Sequence, residues 1–573
     1  MAVHNSEIAA LFERYAELLE IQGANPFRVR AYRNAALIVR GLGTEIARMI
    51  ADGTDLTELQ GIGDDLAARM HEIVDTGRLQ ALERLAGQFP EHLADLEALP
   101  GLGPRRIRAL HDALGIGSLD DLEHAARQGR IRGLKGFGAK SERNILHAIE
   151  AHRDSQQRTR LADAERIAEP LLAHLAAARG VKQAIIAGSY RRRRETVGDV
   201  DILVSADTGN DVMDRLTGYD SVSEVVSRGE TRATVILEGG LQVDLRVVPE
   251  ASYGAALHYF TGNRAHNIAV RVMGQRRGLK INEYGVFEGE HRVAGATEAS
   301  VYAQVGLAYI EPELRENRGE LAAAAEGRLP ALVDLEDIRG DLHCHTDTTD
   351  GRDSAEAMAR AAKALGREYL AITDHTRRLR VANGLTPGAF AEHLDALEAL
   401  DARLDGIRVL RSAEVDILED GSLDLPDDVL ARMDVVVCAV HYGLGLPRAK
   451  QTDRLLRALD SPHCQILAHP TCRILGERQP IDADMGRVLR AAAETGCALE
   501  INAQPGRLDL PDVLIREALG QGARFVVATD AHGTEDLARM RLGLDQARRG
   551  WLTAADVLNT RGVDGFLAAL RRR

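Results

Sequence analysis

The chain has 573 residues, of which 45% are hydrophobic and 28% charged, with a formal net charge of −14 at pH 7. At about one domain per 150 residues it must hold several domains. No apolar run is long enough to span a bilayer, and the negative balance excludes nucleic-acid binding by bulk charge alone.

The N-terminal MAVHNSEIAALFERYAELL lacks the basic start and unbroken apolar stretch of a signal peptide, so a cytoplasmic protein is expected. From there to about residue 150, segments such as IAALFERYAELLEI and RVRAYRNAALIVRGL read as short amphipathic helices with no strand alternation. Three segments place a glycine, an apolar residue and a second glycine ahead of a helix: Gly61 and Gly63, Gly101 and Gly103, Gly136 and Gly138. Glycines permit the tight turn, and the free N–H groups of the new helix can hold a phosphate oxygen. A single such turn commonly does no more than join two packed helices. Three copies, two of them followed by basic residues, point to helix-hairpin-helix grips on a DNA backbone. Arginine and lysine also concentrate in PRRIRAL, QGRIRGLKGFGAKSERN and YRRRRE, so DNA contact is expected between residues 104 and 194.

From about residue 180 the pattern changes to short β-rich runs, QAIIAGSY, DVDILVS, ATVILEGG and QVDLRVVP. Asp199 and Asp201 are two apart and share one strand face, with Val200 and Ile202 on the other. A neighbouring strand can add Asp244. Carboxylates this close repel unless a divalent cation with oxygen ligands lies between them, and the adjacent arginines suit a polyanion such as a triphosphate. The residues alone leave solvent-facing strand aspartates as an alternative of equal weight.

Several motifs in order break that tie: AYRNAA, the glycine hairpins, Gly188 and Ser189 with DVD ten residues after the serine, VDLRV, YFTGNRAHNIAVR and INEYGVF. Over residues 20–317 the chain resembles the family X DNA polymerases. The resemblance implies an α+β nucleotidyltransferase palm in which Asp199, Asp201 and Asp244 bind catalytic Mg²⁺ or Mn²⁺. It implies that Gly188, Ser189 and Arg192 hold the triphosphate, that Tyr259, Phe260 and Gly262 line the sugar, and that Asn267 and Arg271 face the minor groove. Asn263 departs from the family's usual serine, and Arg193 and Arg194 are left as surface or DNA-backbone charges. In members with an N-terminal lyase, the nucleophile is a lysine in the helix after the first hairpin. Here its position is Arg69, and a second basic position falls on Asp65. Only a grip on a 5′ phosphate, with Arg28, Arg33 and Arg69 as contacts, is then expected.

Residues 315–337 are polar, alanine-rich and free of aromatics, which reads as an interdomain linker. Beyond it, apolar runs such as LAITD, VVVCAVH, QILAHP, ALEINA and FVVATDAH alternate with helical stretches, as in repeated βα units. Histidines and acids follow these runs, where parallel strands of a barrel converge on one mouth, and imidazole with carboxylate suits zinc or manganese better than magnesium. The five cysteines all lie in this half without CxxC spacing and are expected as reduced thiols.

Residues 338–573 resemble the PHP domain. That likeness implies a distorted (βα)7 barrel holding up to three ions, Mn²⁺ or Zn²⁺, on His343, His345, Asp350, His375, Glu414, His441, His469, Asp530 and His532. The expected organisation is a helical domain at 1–88, a helix-hairpin-helix subdomain at 89–152, a palm at 153–248, a nucleotide-selection subdomain at 249–317, a linker at 318–337 and the barrel at 338–573. The expected function is short-gap repair synthesis by a monomer on gapped or primer-template DNA with deoxynucleoside triphosphates, coupled to a 3′–5′ exonuclease and with no membrane partner. Competing readings are a 3′-phosphatase, an abasic-site endonuclease or a small-phosphoester phosphatase in the barrel, and a non-catalytic DNA-end scaffold in the N-terminal half.

Overall fold

The computed structural model describes residues 5–40, 46–51, 53–59, 61–86, 96, 99, 102–134, 136–156, 158–206 and 209–570. The chain falls into two units, Met1–Gln157 with Arg380–Ala382, and Arg158–Leu379 with Asn383–Arg573.

The described residues of the first unit's N-terminal stretch are helices and turns, as the periodicity predicts. The helices Asn5–Gln22 and Pro26–Arg40 pack through Phe12, Tyr15 and Tyr32, whose rings meet edge to face. One backbone hydrogen bond recurs across the three glycine turns. The N–H groups of Ile62, Leu102 and Phe137 donate to the carbonyls of Leu59, Leu99 and Leu134 at 2.9, 3.1 and 3.0 Å. The next helices then begin at Asp64–Thr76, Pro104–Leu114 and Ala139–Gln156. The apolar residue between the glycines is buried in each case and anchors the turn.

In the second unit, β1 (Thr159–Arg160) pairs with β3 (Thr196–Val197). A five-stranded sheet, in the order β2-β4-β7-β6-β5, is built from β2 (Val181–Ile186), β4 (Asp199–Ala206), β5 (Val222–Arg228), β6 (Arg232–Leu237) and β7 (Gln242–Val248). Only β4 and β7 run parallel, which sets Asp201 opposite Asp244. Val200, Ile202, Val243 and Leu245 are buried behind them, the alternation expected of a sheet with one packed face. A small antiparallel sheet follows, of β8 (Leu279–Asn282), β9 (Gly285–Glu288) and β10 (His291–Ala294).

Seven parallel strands in sequential order complete the unit: β11 (Gly340–Asp341), β12 (Tyr369–Ile372), β13 (Arg408–Asp416), β14 (Val435–Ala439), β15 (Ile466–Leu467), β16 (Ala498–Asn502) and β17 (Phe525–Ala528). A parallel bridge between Cys344 and Ala531 joins the continuations of the first and last strands, so the barrel nearly closes. β12, β14 and β16 are buried throughout, as strands covered on both faces must be. All five cysteines are buried, and Cys464 Sγ lies 3.8 Å from Cys497 Sγ.

The stretch 318–337, read from its composition as a linker, carries the helix Glu320–Ala325. Its Ala323 and Ala324 join a core with Val301, Tyr302 and Trp551. The alanines serve close packing there. Likewise Leu475, Leu508 and Leu542 from the barrel side enter the core of the five-stranded sheet. Arg193, expected on the surface, is instead buried between Glu165 and Asp545, each 2.6 Å from its Nη2. A charged seam across two packed layers has to be paired, and this one is.

Glu298 anchors the same region. It accepts from Arg191 at 2.9 and 2.7 Å and from the fully buried Arg315 at 2.5 Å. Burial alone would raise its carboxyl, but Arg191 and Arg315 hold it down at about 2. A depressed carboxyl stabilises the fold above its ordinary value, and that contribution is lost as pH falls from there toward 2. Glu298→Gln is expected to cost about 3–5 kcal/mol at pH 7, because two buried guanidinium groups lose their counter-charge. Thermal denaturation checks this: the gap between wild type and variant should close as the pH is lowered below 4.5 toward 2.

Candidate functional site

The five-stranded sheet ends in a cleft of about 570 Å³. Gly188, Ser189 and Arg192 line it from the short helix after β2, and Asp199 and Asp201 from β4. Tyr259, Phe260, Gly262, Asn267 and Arg271 close its other side. Every residue expected around a nucleotide thus faces one space. Gly188 has φ +61°, and a Cβ there would lie 2.2 Å from Asp201 Oδ2, so only glycine lets the turn reach the carboxylate.

Burial, then the charges of Asp199 and Asp244, push the Asp201 carboxyl up to about 7. Burial and Asp244 also raise Asp199. Asp244 is steadied by Thr234 and Gln242, each donating at 2.6 Å. Neither partner was apparent in the sequence, because Thr234 reaches Asp244 only through the β6–β7 register. Crowded carboxylates that resist ionising together fit a bound cation.

Arg192 is already engaged, with Nε 3.1 Å from Glu316 and Nη1 donating to the Thr261 carbonyl. Arg549, from the barrel side, bonds both the Arg192 carbonyl at 2.6 Å and Glu316 at 3.1 Å. Asn263 caps the helix Arg264–Gln275, and its amide donates to Glu316 at 2.8 Å. Asn267 donates to the Tyr259 carbonyl at 2.7 Å, and its buried Oδ1 accepts no bond.

The barrel mouth gathers the second set. Three groups have ligand atoms within 4.8 Å of one another: His345, Asp350, His375 and His532; His343, His345 and Asp530; His375, Glu414 and His441. His469, the remaining expected ligand, has Nε2 2.9 Å from Glu414. His343 and His345 follow β11 instead of lying in it, and both still point into the cluster, their ring centroids 5.1 Å apart.

Against the cost of burial, His441, His343 and His375 hold the Glu414 carboxyl well below its ordinary range. Burial alone would lower His375, but Glu414 and Asp350 lift it to about 10. His345, buried beside His375 and His532, falls to about 4. The buried His343 Nε2, His345 Nδ1 and Nε2, His375 Nδ1 and His469 Nδ1 have no hydrogen-bond partner. Nitrogens left bare beside carboxylates fit divalent cations.

Outer partners fix the rings. Glu500 sits 2.6 Å from His343 Nδ1 and accepts from the His469 backbone N–H at 2.6 Å, while Asp416 lies 3.1 Å from His441 Nδ1. Each turns Nε2 toward the cluster. Glu500 lies at the centre of β16, inside the apolar run ALEINA, where no strand-end signal marked it.

Among the hairpin glycines, Gly61, Gly63, Gly103 and Gly136 are exposed and Gly138 half-buried, whereas Gly101 lies outside the described residues. The first hairpin helix opens with Asp64 and Asp65. Arg69 lies 3.6 Å from Asp65 and 3.0 Å from Glu72, Arg28 donates to the Tyr15 hydroxyl at 3.0 Å, and Arg33 pairs with Glu20 at 2.5 Å.

Family profiles match along the chain: a helix-hairpin-helix domain at 3–79, a SAM-like helix-hairpin-helix tandem at 93–151, DNA polymerase beta palm at 161–252, DNA polymerase beta thumb at 256–316 and a PHP domain at 341–504. The whole chain is 38% identical to the whole of the DNA polymerase/3′-5′ exonuclease PolX of Bacillus subtilis (strain 168). A probable phosphatase of Thermoanaerobacter sp. (strain X514) is 29% identical over 38% of this chain and 89% of its own length. One of Acetivibrio thermocellus is 30% identical over 35% and 81%.

The bare nitrogens give a direct test. His343→Ala with His345→Ala is expected to lower the Mn²⁺ retained per chain after gel filtration, whereas Asp199→Ala with Asp201→Ala leaves the barrel's complement in place. Elemental analysis of folded protein reads both, and equal metal content in all three proteins would refute the barrel centre.

Proposed function

The chain belongs to the family X DNA polymerases that carry a C-terminal PHP domain, and from this we propose that it is a DNA-directed DNA polymerase filling short gaps and trimming DNA 3′ ends as a 3′–5′ exonuclease. We assign residues 1–88 and 89–152 to DNA-binding helical domains, 153–248 to the catalytic palm, 249–317 to nucleotide selection and 338–573 to the phosphoesterase. The protein acts as a monomer on gapped or primer-template DNA.

In the palm, the primer 3′ hydroxyl attacks the α-phosphorus of a deoxynucleoside triphosphate and pyrophosphate leaves. Mg²⁺ or Mn²⁺ held by Asp199, Asp201 and Asp244 would supply charge stabilisation at the phosphoryl oxygens. Arg192 takes a triphosphate oxygen by exchanging the Glu316 carboxylate for a phosphate, with Ser189 beside it. Tyr259, Phe260 and Gly262 line the sugar, and Asn267 and Arg271 face the new pair. The observation that carries this reading is the register that sets Asp244 opposite Asp201, at a cleft that Asp199 and Asp201 line together with the residues expected around the nucleotide.

In the barrel, water adds to the terminal phosphodiester phosphorus, the bond to the 3′ oxygen of the preceding nucleotide breaks, that oxygen takes a proton, and a nucleoside monophosphate is released. Mn²⁺ or Zn²⁺ suits this mixed imidazole and carboxylate set, whereas the all-oxygen palm accepts Mg²⁺. The likeness of the barrel to probable phosphatases favours one second reading, removal of a 3′-phosphate by the same site. The hairpin glycines, Gly101 and Gly103 and Gly136 and Gly138 in particular, offer N–H groups to the DNA backbone. Gly61 and Gly63 do so against the charge of Asp64 and Asp65.

Two outcomes test the scheme. Asp199→Ala with Asp201→Ala should lower primer extension by roughly a hundredfold or more and spare 3′-end shortening, and His343→Ala with His345→Ala should do the reverse. Labelled primer-template in Mn²⁺, with and without nucleotides, reads both and also reveals loss of a 3′-phosphate. Extension abolished by the histidine pair in a folded protein would defeat the assignment of separate sites. Separately, the guanidinium of Arg69, with a pKa above about 12, stays charged and cannot attack a sugar aldehyde. No borohydride-trapped adduct on an incised abasic site should map to the helix Asp64–Thr76.

A further inference from the structure

Arg507 stands in the loop after β16, 3.6 Å from Asp530 Oδ2 through its Nε. Asp530 Oδ1, on the other branch of that carboxylate, is 3.3 Å from His345 Nε2. The arginine therefore borders the metal cluster without belonging to it. Its side chain is only 17% exposed, its Nε is buried without a hydrogen-bond partner, and among the described residues its guanidinium donates no hydrogen bond. That is an unusual state for a group with five donors, since buried polar atoms are nearly always paired. Other buried arginines here do donate: Arg454 to three backbone carbonyls, and Arg315 to the Ile310 carbonyl and to Glu298. Although burial lowers it, Asp530 and Glu414 keep the Arg507 guanidinium charged.

The loop is held by barrel residues that are themselves tied to the palm. Arg473 donates to the carbonyls of Arg507, at 3.0 Å, and of Leu508, and its Nη2 lies 2.5 Å from Glu195 of the palm. Leu508 is buried in the palm core, and the Leu475 N–H donates to the Gly506 carbonyl at 2.7 Å. Arg160, in palm strand β1, donates in turn to the Leu475 carbonyl at 3.0 Å. Both flanks of Arg507 thus rest on the polymerase half.

We propose that Arg507 binds a non-bridging oxygen of the phosphate that the barrel site hydrolyses, and that Arg473, Glu195 and Leu508 position it there. The proposal rests on the phosphoesterase reading of the barrel. A planar, permanently charged fork with free donors beside a cation cluster suits a phosphate, which can bridge the two. Carboxylates alone around the cluster would repel that anion. The palm thereby completes the hydrolytic site.

The test uses the full chain loaded with Mn²⁺ and thymidine 5′-monophosphate as probe, with binding read by calorimetry. Arg507→Ala should weaken binding by about ten- to a hundredfold, the effect of one charged hydrogen bond. Arg507→Lys should recover part of it, and Glu195→Gln should weaken it less than Arg507→Ala. Mn²⁺ content and primer extension should stay at wild-type levels in all three. On a 3′ end, the Arg507→Ala change should raise KM more than it lowers kcat. Unchanged probe affinity in Arg507→Ala with full metal content would overturn the proposal. A wild-type protein that binds the probe through Arg507 yet shortens no 3′ end would leave the proposal standing and overturn the exonuclease reading instead.

Discussion

Ligand-type side chains gathered by the sheet, with too few protein partners to satisfy them, are the constraint around which both centres are built. In the palm, the parallel pairing of β4 and β7 leaves no choice: Asp201 faces Asp244, with Asp199 one pleat away. Burial and the charges of Asp199 and Asp244 lift the Asp201 carboxyl to about 7, so that group resists ionising until a cation offsets them. In the barrel the same problem has the opposite chemistry. His343 Nε2, His345 Nδ1 and Nε2, His375 Nδ1 and His469 Nδ1 are buried without a hydrogen-bond partner. A protein tolerates such arrangements where binding offsets their cost.

The surroundings of each centre follow from that cost. Asp244 leans on Thr234 and Gln242, His343 on Glu500 and His441 on Asp416, each contact fixing one atom so that its neighbour faces inward. Around the palm cleft the arginine run YRRRRE divides by position. Arg191 is spent on Glu298, Arg192 borders the cleft, and Arg193 ties the palm to Asp545. Crowding of arginine in the sequence thus reflects structural and ligand-facing tasks on successive residues of one turn.

The seam between palm and barrel is a packed interface. Apolar side chains from the barrel, Leu508 and Trp551 among them, complete cores on the polymerase side. Arg549 reaches across to Glu316 while also bonding Asp512 on its own side. Because Arg192 shares Glu316 with Arg549, the Arg192 side of the cleft and the barrel are electrostatically linked. The two clusters draw on different side chains and are mechanically joined.

Much of this was legible before any coordinates. Alternation in DVDILVS and QVDLRVV exposes the three carboxylates on one face, and histidines after successive apolar runs imply a convergent barrel mouth, because periodicity and strand-end placement are local properties. The glycine hairpins were legible for the same reason, since φ > 0 turns recruit glycine locally. What the sequence could not carry was contact between distant segments. Alanines at 322–325 look alike in a tether and in a close-packed helix, and Arg193 looks like a surface charge until Glu165 and Asp545 close on it. Thr234, Glu500 and Arg507 acquire their places only through cross-strand register and a loop anchored in another domain. Those are decisions of tertiary structure, because pairing a charge or filling a core depends on which surfaces meet.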